Sequence, residues 1–130
     1  MAEVTKAGVY VEIMQSTRHY SSLRFVMMPV YITVTGALAV AAHTGQFAAG
    51  AAPIKAWFWA AGLLTSLVFL LFEIALSYNL SCLWRAAAAL AGDVVPGAFA
   101  HRRPGLLWSV RVTWVAIYLG GVAFWLFNRV

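Results

Sequence analysis

Three stretches of the chain carry no charge at all, residues 25–42, 56–72 and 112–128, and each is close to the roughly 17–25 residues a helix needs to cross a ~30 Å hydrocarbon core. The pattern predicts an all-α integral membrane protein with three transmembrane helices, at 25–43, 56–78 and 106–128. The second run does not stop at the membrane. One glutamate, Glu73, interrupts it, and Ile74-Ala75-Leu76 then resumes an apolar pattern that continues through the alanine tract 86–91. Gly92, Asp93 and Pro96-Gly97 are the stop signals. At ~1.5 Å per residue such a helix is roughly 50 Å long, so an extension over 79–91 is expected to leave the bilayer. Phe69, Glu73, Leu76, Leu80, Leu83, Ala87 and Leu90 alternate steps of four and three, which places the glutamate on one stripe with the leucines.

Ahead of the first span, residues 1–24 hold a second seam. Tyr10, Met14, Thr17, Ser21, Arg24 and Met28 share one helical face, with Ile13 and Tyr20 beside it. The unbroken run into the span favours a cytoplasmic stalk over a helix lying on the headgroups. The first two helices are then expected to form a long antiparallel hairpin extending into the cytoplasm. Pro29 is expected to bend the first span. Thr33, Gly36, Ala37 and Ala41, and later Ala116 and Gly120-Gly121, supply small residues for close helix approach. The connection 43–53 reads as a short chargeless turn, and Trp57, Trp59 and Trp125 as outer-interface aromatics. Ala39-Val40-Ala41 mimics a cleavage site, but the first apolar run outlasts the ~7–15 residues of a signal core and is read as a span. One three-helix domain, 1–130, accounts for the chain.

Composition narrows the class. With 63% hydrophobic and 10% charged residues in 130, the chain lacks the polar surface of a soluble domain. Its net charge of +5 is unevenly placed. Lys6, Arg18 and Arg24 precede the first span and Arg85, Arg102, Arg103 and Arg111 surround the second connection, whereas Lys55 and Arg129 fall on the other side. The positive-inside rule puts the N-terminus in the cytoplasm and the C-terminus outside. No aromatic-basic groove accompanies the charge, so the bilayer, including its anionic lipids, is the expected partner rather than nucleic acid. Cys82 stands alone and forms no intrachain disulfide.

Depth brings three charges together. Counted inward from the outer surface, Glu73, Arg111 and Arg24 lie about 17–18 residues below Ala56, Asn128 and Ala42, in one layer near the cytoplasmic interface. An unpaired charge in hydrocarbon costs at least ~2.5 kcal/mol, so Glu73 is expected to pair with Arg24 or Arg111. Two other arrangements compete: both arginines snorkel to headgroups, or Glu73 faces an oligomeric axis or a water-filled path. Arg102 and Arg103 are the expected lipid-headgroup contacts, at about 1 kcal/mol each. His43 lies across the membrane from His19 and His101, which excludes a three-histidine site within one chain, and neither a metal nor another cofactor is expected. No Ser-His-Asp set, phosphate-cradling loop or paired carboxylates stand out, and Cys82 has no neighbouring histidine, so an enzyme is not expected.

Tyr10-Val11-Glu12-Ile13-Met14, followed by Ser16, Arg18 and the run into Phe25, resembles the start of small bacterial membrane proteins of the RipA-like and SLATT type. Those proteins similarly pass from a short cytoplasmic helix into a first span and carry a second helix that overruns the bilayer. The resemblance covers roughly residues 8–91. It implies a bacterial inner-membrane location and assembly, since RipA-like proteins are described as octameric and SLATT proteins as pore-forming effectors of bacterial conflict systems. The chain departs from them in its third span and in lacking a domain after the second helix. Leu80, Leu83 and Leu90 on the extension also call for apolar partners beyond the short N-terminal helix, so the expected function is a non-enzymatic homo-oligomer assembled through the helical hairpin and its cytoplasmic extension, with a pore or channel as one use of the assembly. The alternative is an accessory or structural subunit of a larger membrane complex, and a third reading is an ion-coupled transporter component relying on Glu73.

Overall fold

A computed structural model describes residues 5–44, 52–94 and 104–128. They form three α-helices, α1 (Lys6–His43), α2 (Ala52–Val94) and α3 (Pro104–Phe127). Each is long and apolar enough to cross a membrane.

Local chemistry sets the helix ends. Thr5 caps α1, its hydroxyl accepting from the Gly8 backbone N–H at 3.2 Å. The helix then runs 38 residues with no break between stalk and span, and it continues through Pro29. α2 begins four residues before the expected start at 56. Ala52 and Pro53, read from sequence as part of the turn, belong to its first turn, where a proline's missing N–H leaves no helical bond unmade. At the other end α2 passes through Gly92 and Asp93 and stops at Val94. A helical glycine costs only about 1 kcal/mol relative to alanine, too little by itself to end a long helix. α3 opens on Pro104, the preferred first helical position, rather than at 106, and ends at Phe127.

α2 is the shared element: α1 and α3 both pack along it and touch each other far less. Lys6 meets Asp93, Arg24 meets Glu73 and Tyr31 meets Ser66, so position on α2 falls as position on α1 rises. Both expected seams face inward. On α1 the buried positions Thr17, Arg24, Tyr31 and Ala42 continue the Tyr10-to-Met28 spacing; on α2 Ser66, Glu73, Leu76, Leu80 and Ala87 continue the leucine stripe.

On the α3 side packing depends on one missing side chain. The Trp125 indole lies directly over Gly62, where an added Cβ would fall inside the ring. Trp125 is only 1% exposed, and its backbone carbonyl accepts from the Trp59 indole N–H. Trp57, at 76% exposed, is the one of the three tryptophans that faces outward as a belt residue does. The belt rule concerns depth, and Gly62 decides facing: it opens a slot that only a residue opposite can fill. The small residues divide likewise. Gly121 receives the Tyr31 hydroxyl, but Gly36 and Gly120 meet nothing within 4 Å of an added Cβ, and Thr33, Ala37 and Ala116 are exposed.

Candidate functional site: a polar ladder between the helices

Glu73, on the inner stripe of α2, is 2% exposed. Arg24 reaches it from α1 with both arms of its guanidinium: Nη2 lies 2.6 Å from Oε1, and Nε donates to Oε2 at 3.1 Å. This fork matches the planar carboxylate and gives the strongest form of charged hydrogen bond. Ser77, one turn along α2, completes it. Its hydroxyl accepts from Arg24 Nη2 at 2.7 Å and donates to Glu73 Oε1 at 2.9 Å. On the far side of Arg24, the Trp114 ring of α3 lies 6.0 Å from the guanidinium carbon, at the outer limit of a cation–π contact.

One further turn along α2, Ser81 repeats the arrangement with the third charge. Arg111 on α3 donates from Nη2 to the Ser81 hydroxyl at 2.5 Å, and that hydroxyl donates to the Ser77 carbonyl at 2.6 Å. Glu73, Ser77 and Ser81, spaced by four, thus form one polar row that takes an arginine from each flanking helix. Of the two arginines placed beside Glu73 by depth, the structure brings Arg24 to it and leaves Arg111 two turns away on a hydroxyl. Arg111 belongs to no ion pair among the described residues.

Seven residues from Glu73 toward the start of α2 lies a neutral layer. The Ser66 hydroxyl donates to the Gly62 carbonyl at 3.0 Å, which leaves the Tyr31 hydroxyl as the donor in their 3.2 Å bond. Tyr118 of α3 closes the layer edge-on to Tyr31, with centroids 4.8 Å apart, and Phe69 lies 5.2 Å from the Tyr31 ring. Among the described residues, no buried side-chain nitrogen or oxygen lacks a partner.

Chemically the ladder is closed. Both oxygens of Glu73 are engaged by partners within the fold, and the residue is 2% exposed. Far from it, Lys6 and Asp93 form a second ion pair at 2.6 Å, more than half exposed on both sides. The hydrogen bond and charge of Lys6 lower the Asp93 pKa, and the same contact raises that of Lys6. No group of three His, Cys, Asp or Glu side chains is arranged for a metal ion among the described residues. The headgroup candidates Arg102 and Arg103 lie outside those residues, and Cys82 is exposed. Ser66, Ser77, Ser81, Tyr31 and Tyr118 were not expected from the sequence to take part in the ladder. Compared with known proteins, the chain matches no protein-family model, no curated protein and no solved structure.

Proposed function

We propose that this chain is a non-enzymatic protein of the bacterial inner membrane that self-associates through its spans. In this reading the N-terminus is cytoplasmic and the C-terminus outside, as the arginine distribution requires. α1 and α2 form an antiparallel hairpin whose far end projects into the cytoplasm, and the Arg24–Glu73 layer sits near the inner interface.

The observation that carries this reading is a groove of about 380 Å³ between α1 and α3 on the outer half, walled by Gly36, Ala39, Gly120 and Gly121 and floored by Tyr31 and Trp125. Gly36 and Gly120 cost their helices about 1 kcal/mol each relative to alanine, and no contact among the described residues uses the space they leave. Lipid tails supply no hydrophobic drive between helices, so helix association there depends on close backbone approach over small residues. A helix of a second copy is the occupant this surface suits. That use agrees with the assembly implied by the RipA-like resemblance. Packing is favoured over conduction, because residues such as Val30, Ile32, Leu64, Leu71 and Phe72 present apolar side chains outward and Glu73 is fully engaged.

The test is native mass in lipid nanodiscs for the wild type and for Gly36→Leu/Gly120→Leu. A discrete oligomer in the wild type that falls to monomer in the double variant supports the proposal. A wild-type monomer with full helicity sinks it and favours the accessory-subunit reading, in which another protein's helix fills the groove.

A further inference from the structure

We infer that Arg111 heads a binding site for a phosphate-bearing anion, supplied from the side by an anionic phospholipid. The site is a cleft of about 190 Å³ formed by all three helices, with Ser21 and Phe25 from α1, Leu80 and Trp84 from α2, and Arg111 and Trp114 from α3. Arg24 also lines it, yet its charge is balanced by Glu73 through the fork already described. Among the described residues Arg111 has no such balance. Its Nη2 rests on a neutral hydroxyl, and the residue is half-buried. Two arginines thus line the cleft, and the carboxylate committed to one of them, Glu73, is not among the lining residues.

An arginine in that position attracts an anion able to take two parallel N–H bonds, which a phosphate oxygen pair does. Ser21 adds a hydroxyl at the same mouth, and the indole edges of Trp84 and Trp114 suit a headgroup-level environment. The rest of the lining argues for a lipid as the source. Phe25 is 70% exposed and Val110 42%, so the rim carries an apolar surface on both α1 and α3, and an acyl chain leaving the phosphate would lie along it. Free phosphate would gain nothing from that rim. The inference rests on the membrane placement proposed above but not on self-association.

The experiment is native mass spectrometry of the purified chain released from phosphatidylcholine vesicles with and without phosphatidylglycerol. Arg111→Gln, Arg111→Lys and the exposed Arg85→Gln are run beside the wild type. The wild type is expected to retain phosphatidylglycerol. Arg111→Gln should weaken retention about tenfold or more, the loss typical of a charged hydrogen-bond pair, while Arg111→Lys keeps part of it and Arg85→Gln all of it. Equal retention by Arg111→Gln and the wild type, or none by the wild type, overturns the site. Displacement of the lipid by millimolar inorganic phosphate overturns the lipid source and leaves a soluble anion. If Arg111→Gln instead lowers the oligomer mass with lipid retention unchanged, Arg111 serves a partner chain's carboxylate and the proposal fails. Helicity measured by circular dichroism, with Arg111→Lys as the conservative control, separates these results from misfolding.

Discussion

Replacing Glu73 with leucine should be among the most damaging single changes available to this chain, and restoring charge balance should reverse most of the damage. The substitution leaves the Arg24 guanidinium, whose side chain is 10% exposed, with the Ser77 hydroxyl as its only hydrogen-bond acceptor of the present set. Breaking a buried ion pair from one side typically costs about 3–5 kcal/mol, because the remaining charge stays desolvated. Against a total stability of about 5–15 kcal/mol, that is about a fifth or more of what holds a marginal fold. The double variant Arg24→Met/Glu73→Leu removes both desolvation penalties and fills the layer with apolar atoms, so it should lie within ~1 kcal/mol of the wild type or above it. Reversible unfolding in mixed micelles, followed by circular dichroism for the wild type, both singles and the double, gives the coupling energy directly. A Glu73→Leu penalty below ~1 kcal/mol, or a double variant as unstable as the sum of the singles, would refute the reasoning.

Two further outcomes follow from the packing and the surface. Gly62→Ala should cost about 1–3 kcal/mol through overpacking against Trp125, and Trp125→Leu introduced into that variant should recover part of the loss in the same unfolding assay. The exposed Lys6–Asp93 pair should leave almost no mark. Its contribution is full only between the unfolded-state pKa values of the aspartate and the lysine, is lost as pH drops through the lowered folded pKa of Asp93, and is lost at the other end as pH rises through the raised folded pKa of Lys6. At physiological salt, melting curves of Lys6→Ala and the wild type between those limits should superimpose, and a clear separation would mean the pair is less solvated than its exposure indicates.

Much of the arrangement was legible because one periodicity governs both contacting helices. Continuing the α2 stripe outward from Phe69 by steps of three and four reaches Ser66 and Gly62, and continuing the α1 seam from Arg24 by seven reaches Tyr31. The signal for the neutral layer was present in the spacing. Ser77 and Ser81 were likewise one and two turns from Glu73 on the same row. Depth placed Arg24 and Arg111 together but could not choose between them, because depth fixes height and not azimuth: Arg24 lies on the seam facing α2, whereas Arg111 reaches only Ser81. Trp125 shows the same limit. An interfacial tryptophan and a buried one look alike in sequence until the glycine opposite is known, and Gly62 lies on another helix. Helix ends shifted by a few residues because prolines at 53 and 104 start helices as readily as they end them.

The two polar layers of the α1–α2 contact are separated by seven residues on each helix, from Arg24 to Tyr31 and from Glu73 back to Ser66. Helices rich in alanine, valine and leucine can slide past one another in lipid with small change in energy, since one apolar heptad resembles the next. Here a slip of one heptad, roughly 10 Å, would set Arg24 against Ser66 and Glu73 against Thr17, or, in the other direction, Arg24 against Leu80 and Glu73 against Tyr31. The unlike chemistry of the two layers, one ionic and one hydroxyl, makes each repeat distinguishable and works as a vernier that reads true at one setting. A pair of equally polar but interchangeable layers would tolerate the slip. This chain specifies its alignment by making them different.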